Sequence, residues 1–204
     1  MLHREHHFEA EICAHLATHG WLYAEGAAAQ FDRANGLFLP DLLAWIEVTQ
    51  RDNFQRLSKT HGVALPQVLA ERLRKNLNER GTLEVLRRGV EMLGLKEPLE
   101  LAQFKPALAI NPAIQAKYAA NRLRVVRQVR HSPNAQHDAL DLVLFLNGIA
   151  VATAELKSNF TQSVQDAVDQ YRYDRHPQPK GGVLEPLLSF PGGALVHFLS
   201  LIHI

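Results

Sequence analysis

Apolar residues recur every fourth position near the start of the chain, at Phe8, Ile12 and Leu16, and Gly20 closes the run. One face of a helix has that spacing, so a helix is predicted from about Leu2 to His19. The small, polar stretch EGAAAQFDRANG reads as a loop, and PDLLAWIEV as a short helix entered through Pro40 at its first position. Helical text resumes from LPQVLAERLRKNLNERG to TLEVLRRGV, broken by Gly81, with Thr82 available as a cap for the second piece. Prolines and an alternation around Leu99–Leu101 mark EMLGLKEPLELAQFKPALAINP as extended structure and loop.

Beyond it, NPAIQAKYAANR reads as a short helix, LRVVRQVR as a strand and HSPNAQHD as a loop. DLVLFL and IAVATAELK read as strands joined through Asn147-Gly148. SVQDAVDQYRYDR reads as a helix stopped before Pro177, QPKGGVLEP as a loop and GALVHFL as a last strand. A helical half followed by strand, strand, strand, helix, strand predicts an α/β fold with a mixed sheet. The terminal SLIHI fits poorly after GALVHF and reads like a translated sequencing adapter. The expectation is a gene fragment whose natural continuation is missing, with residues 200–204 artefactual.

The hairpin DLVLFLNGIAVATAELK is where chemistry enters. Leu142 to Leu146 is continuously apolar, as in a central strand covered on both faces, yet Asp141 opens it and Glu155 and Lys157 close its partner. Residues two apart on a strand share a face, so Glu155 and Lys157 project together. A buried carboxylate is costly unless it is paired, hydrogen-bonded or metal-bound. A wet strand end with a surface Glu–Lys pair is the ordinary alternative. Between covered strands, two acids suit a hard cation: Asp141 and Glu155 could hold Mg²⁺ with the Leu156 carbonyl as a further ligand. Lys157 could orient the attacking water and stabilise charge on a phosphate.

That reading makes a demand on register. With a plain two-residue turn, Leu146 opposes Ile149 and Asp141 faces Ala154, which leaves Glu155 on the other side of the sheet. For both acids to share a face the hairpin needs one extra residue, through a three-residue connection Asn147–Ile149 or a β-bulge.

The 204 residues suffice for one well-buried domain; 47% of them are apolar and 21% charged, an ordinary globular composition. A formal charge of +1 makes no global electrostatic case for nucleic acid. The basic run RLRVVRQVR makes a local one: Arg122, Arg124, Arg127 and Arg130 suit phosphate contacts, or equally a solvated strand face. The single cysteine, Cys13, excludes an internal disulfide framework and fits a reducing cytosol. No apolar run is long enough to span a bilayer, and the charged N-terminus lacks a signal sequence, so a soluble cytoplasmic protein without membrane partners is expected. The eleven histidines show no zinc-ligand spacing and read as surface residues. His137-Asp138 lacks the other ligands of a phosphohydrolase site. No phosphate-binding loop or serine elbow is present, so no ATP site or serine nucleophile is expected here. Glu9 lies within the apolar stripe of the first helix, where a carboxylate needs a partner; it serves either the site or the stripe's wet margin.

Asp141 followed by Glu155-x-Lys157 resembles the PD-(D/E)XK nuclease motif, with Leu140 where proline usually stands. The stretch from NPAIQAKYAANR through DLVLFLNGIAVATAELK to YRYDRHP, together with FEAEICAHLATHGW, FKPALAINP and GALVHF, resembles the N-terminal nuclease domain of the type I restriction R subunit, HsdR. The resemblance implies a restriction-endonuclease-like mixed sheet flanked by helices. Helical elements would lie mainly in residues 2–90 and the catalytic sheet in 120–200 of one domain, truncated before a helicase motor. It implies that Asp141 and Glu155 bind Mg²⁺, that Lys157 is catalytic and that the substrate is double-stranded DNA. Methylation and specificity subunits would be partners, with ATP used only in the missing motor. The family's supporting glutamine and tyrosine map to Gln170 and, since Asp174 occupies the usual spacing, to Tyr173 as its i+3 neighbour. A stand-alone nuclease and a non-catalytic DNA-binding or docking module are the alternatives.

Overall fold

The stripe of Phe8, Ile12 and Leu16 forms helix α1 (Leu2–Thr18) and packs with Cys13 against Val125, Leu142 and Leu156 of the sheet. The computed structural model describes residues 2–108, 110–135, 137–158, 168–169, 173 and 177–202. A short 3-10 turn, Ala27–Gln30, stands where the polar loop was expected. Helix α2 (Leu39–Thr49) begins with Pro40 in its first turn, as its sequence predicts.

Helix α3 (Arg51–His61) has no counterpart in the sequence reading. It is polar almost all round, and Leu57 is its one buried residue, so its apolar stripe is too thin to read. Helices α4 (Leu65–Arg80) and α5 (Thr82–Arg88) are separated by Gly81 as expected. Thr82 is not the cap, however. Gly81 occupies that position, and the buried Thr82 hydroxyl instead donates to the Gly193 carbonyl at 2.7 Å. Helix α6 (Pro112–Ala119) is capped by Asn111, whose side chain accepts from the Ala113 and Ile114 N–H groups.

Strands β1 (Leu123–Arg130), β2 (Ala139–Leu146), β3 (Ile149–Ser158) and β4 (Val196–Ile202) lie side by side in that order. The first three are antiparallel and β4 runs parallel to β3, which makes the expected mixed sheet in an α/β fold. Strand β4 starts at Val196, the last residue of GALV, and remains paired through Ile202. The helix expected from SVQDAVDQYRYDR falls outside the described residues except at positions 168, 169 and 173. On the helical side, Leu42, Trp45, Leu69, Leu73, Leu77 and Val85 form the largest core with Leu99, Leu101 and Ile149. A second cluster joins Phe38, Val126, Val129, Leu140, Val143 and Phe145.

The Asn147-Gly148 turn ties these layers together. Both residues have positive φ, 48° and 80°, the backbone of a tight turn that matches strand twist. Asn147 is fully buried. Its amide donates to the Leu101 carbonyl and to Asn121, and its side-chain oxygen accepts from the Arg122 N–H at 2.7 Å. The Gly148 carbonyl accepts from Phe38 N–H at 2.8 Å, which holds the start of α2 on the hairpin. A β-carbon at position 148 would lie 2.3 Å from the Phe38 oxygen. Gly148→Ala is therefore expected to destabilise the fold by about 3 kcal/mol, read as a lower urea midpoint by circular dichroism.

Candidate active site

The hairpin register changes once along its length. Leu146 opposes Ile149 and Phe145 opposes Ala150, as a two-residue turn dictates. From there inward Leu144 pairs with Ala152, Val143 with Thr153 and Leu142 with Ala154, so Val151 is an extra residue, a β-bulge. The described ladder ends at Leu142–Ala154; one step further on the same register would set Asp141 opposite Glu155. The one-residue irregularity expected of the hairpin is present, as a bulge and not as a longer turn.

Glu155 is 3% exposed and Asp141 is half-buried. The Leu156 N–H donates to Asp141 Oδ2 at 2.7 Å, and Gln128 Nε2 donates to Asp141 Oδ1 at 3.2 Å. The Leu156 N–H thus orients Asp141, a role separate from the one expected of its carbonyl as a further ligand of the ion. The backbone of Lys157 pairs with Leu201 of β4, while its side chain lies outside the described residues, as does Gln170. Tyr173 is 72% exposed.

Glu9 is not at a wet margin. It is 1% exposed, and both its oxygens are engaged: Arg127 Nε donates to Oε2 at 3.2 Å and Gln128 Nε2 donates to Oε1 at 3.0 Å. Through Gln128, α1 is therefore linked to Asp141. Gln128 was missed from the sequence, although Val126 and Val129, three apart in one strand, break its two-residue period there.

The basic run does not present four free cations. Arg124 grips the buried Asp41 with two hydrogen bonds, at 2.5 and 3.0 Å, and stacks 4.5 Å over the Phe38 ring. Arg122 donates to the same carboxylate at 2.9 Å, and Arg127 reaches Glu9, Tyr23 and the His6 carbonyl. Partial burial works to lower the Arg127 pKa, but its bonds to Tyr23 and Glu9 outweigh that and hold it above the usual value. Arg130 is exposed at the end of β1. So Arg122, Arg124 and Arg127 neutralise helix acids, and Arg130 is the member of the run that faces water.

Asp141 and Glu155 offer hard oxygen donors, and among the described residues no cluster of three or more His, Cys, Asp or Glu side chains forms a metal site. Mg²⁺ fits such a pair, because it commonly takes one or two carboxylates and keeps several waters.

Residues 4–200 match the family model described as the type I restriction enzyme R protein N terminus. The chain belongs to that family. No curated protein matches it, and no solved structure does. Within this R-protein N-terminal domain the acid pair falls on the central strands β2 and β3, and Glu9 falls on the helix that covers them. Among its described residues no helix is long and apolar enough to cross a membrane. His131, against the expectation of surface histidines, is buried.

Two outcomes follow from the buried groups. Asp41→Ala would strand Arg124 and is expected to cost about 3 kcal/mol, measured by urea unfolding. Cys13 is fully enclosed, and burial, with Glu9 and Glu25 adding to it against the opposing pull of Arg127, pushes its thiol up to about 11. At pH 8 iodoacetamide should modify it at least about 100-fold more slowly in the native chain than in urea.

Proposed function

We propose that this domain is the endonuclease of a type I restriction R subunit and hydrolyses phosphodiester bonds of double-stranded DNA with Mg²⁺. The observation that supports it most is the Val151 bulge, whose register, continued one step beyond Leu142–Ala154, would set Asp141 opposite Glu155 in a chain of this family. In this reading Asp141 and Glu155 hold the ion through carboxylate oxygens, and Leu156 N–H and Gln128 fix the orientation of Asp141. When bound, the ion supplies Lewis acidity at the scissile phosphate and lowers the pKa of an attacking water.

Lys157, two residues past Glu155 on the same strand, donates hydrogen bonds to that water or to a phosphate oxygen and offsets the charge that develops there. Gln170 and Tyr173 support the site from the following segment. Arg130, exposed at the end of β1, contacts the DNA backbone. The domain reads no sequence itself. In the full subunit its cutting is coupled to ATP-driven translocation, and the methylation and specificity subunits bring it to DNA in the cytoplasm.

In the assembled complex, Glu155→Ala and Lys157→Ala should each lower DNA cleavage by about 1,000-fold or more while ATP hydrolysis continues. Unchanged cleavage in both variants would reject the nuclease reading and leave a docking module. The arginines separate by a second assay. Arg130→Ala should reduce the salt dependence of DNA binding by about one phosphate contact without loss of stability, whereas Arg124→Ala should lower stability.

A further inference from the structure

Gln128 stands in the middle of β1 with φ of 49°, left-handed backbone that costs a side-chain-bearing residue about 1 kcal/mol or more. Neighbouring pairs Arg127–Leu142 and Val129–Leu140 bracket it opposite Asp141. The twist at this step changes the face of both strands. Val126 and Val129 share the cluster around Phe38 although regular pleating would separate them, and Leu140 joins that cluster while Leu142 packs toward α1.

The side chain is as specifically placed as the backbone. Its amide nitrogen donates to Glu9 Oε1 at 3.0 Å and to Asp141 Oδ1 at 3.2 Å. An amide has two N–H donors and ionised carboxylates only accept, so both donors are used and the amide orientation is determined. The second oxygen of each acid is held separately, Glu9 by Arg127 and Asp141 by the Leu156 N–H. A hydrogen-bonded chain therefore runs from Arg127 through Glu9, Gln128 and Asp141 to β3, joining α1, β1, β2 and β3. Gln128 and Arg127 also line an open recess of about 250 Å³ with His6, Tyr23 and Gly26, so the bridge stands at the rim of the sheet and not in a sealed core.

We infer that Gln128 is a positioning residue for the metal-binding Asp141, and that its left-handed backbone is retained because it aims one amide at both Glu9 and Asp141. The inference rests on the nuclease reading and assigns Glu9 a part within it, as the anchor of Gln128 with both oxygens already engaged. Losing such an outer partner typically weakens metal binding or activity about 10–100-fold.

Gln128→Gly removes the amide while favouring the same φ, so it separates the two contributions. The full chain carrying it should still fold, read by circular dichroism, yet bind Mn²⁺ about 10–100-fold more weakly by calorimetry without DNA. In the assembled complex it should need correspondingly more Mg²⁺ for half-maximal cleavage, with DNA affinity unchanged. If the glycine variant does not fold, Gln128→Asn tolerates left-handed backbone, has an amide one methylene too short for both acids, and should show the same loss. Wild-type Mn²⁺ affinity in a folded variant would overturn the inference. Glu155→Ala is the control: if it also binds Mn²⁺ normally, the metal-site reading falls. If it loses Mn²⁺ while Gln128→Gly keeps it, only the role of Gln128 falls.

Discussion

Val151 has no partner across the ladder between β2 and β3, and two requirements that conflict in a regular hairpin are both met because of it. At the turn, Leu146 must oppose Ile149 so that Asn147 can be buried with its hydrogen bonds to Leu101, Asn121 and Arg122 satisfied. At the far end, Leu142 must oppose Ala154 so that both can pack with α1. A constant register would satisfy one and turn the other onto the wrong face. The inserted residue reconciles them, and the Val151 carbonyl finds a donor in the Leu195 N–H just before β4. Continued one step, that register would set Asp141 opposite Glu155, and the strand that follows the bulge carries the acid, the lysine and the pairing to β4.

The charged groups around this sheet are arranged by pairing across elements. Asp41 in α2 and Glu9 in α1 are each about 1% exposed; Asp41 is met by Arg124 of β1 and by Arg122 just before it, Glu9 by Arg127 of β1. Burying such acids costs several kcal/mol, which multiple charge-assisted hydrogen bonds offset. The pairs fix how the two helices sit on β1, so they position the site without touching the acids that would bind metal. Arg74 makes a similar tie without a carboxylate: it donates to the carbonyls of Asn35, Pro186 and Gly192, and burial lowers its pKa to about 10.

Much of this was legible in the sequence, for physical reasons. The period of α1, the Pro40 start of α2, the Gly81 break and the first three strands come from local patterns that tertiary packing did not override. That an irregularity was needed in the hairpin followed from the acids. Its form did not, because Asn-Gly suits a tight turn and IAVATA gives no sign of which residue bulges. Helix α3 was hidden by its polar surface. The expected cap at Thr82 failed because its hydroxyl has a partner 111 residues away. The arginines looked like phosphate ligands because their acids lie in distant helices, and no spacing within RLRVVRQVR could reveal Asp41 or Glu9.

The central claim is that Asp141 and Glu155, brought opposite by the bulge, together hold one divalent cation. A crystal of the protein soaked in Mn²⁺ and measured at the manganese edge tests it directly. The account predicts an anomalous peak within coordination distance, about 2.1–2.3 Å, of a carboxylate oxygen from each acid. A crystal with no such peak at saturating Mn²⁺, or with manganese held by neither residue, would contradict it.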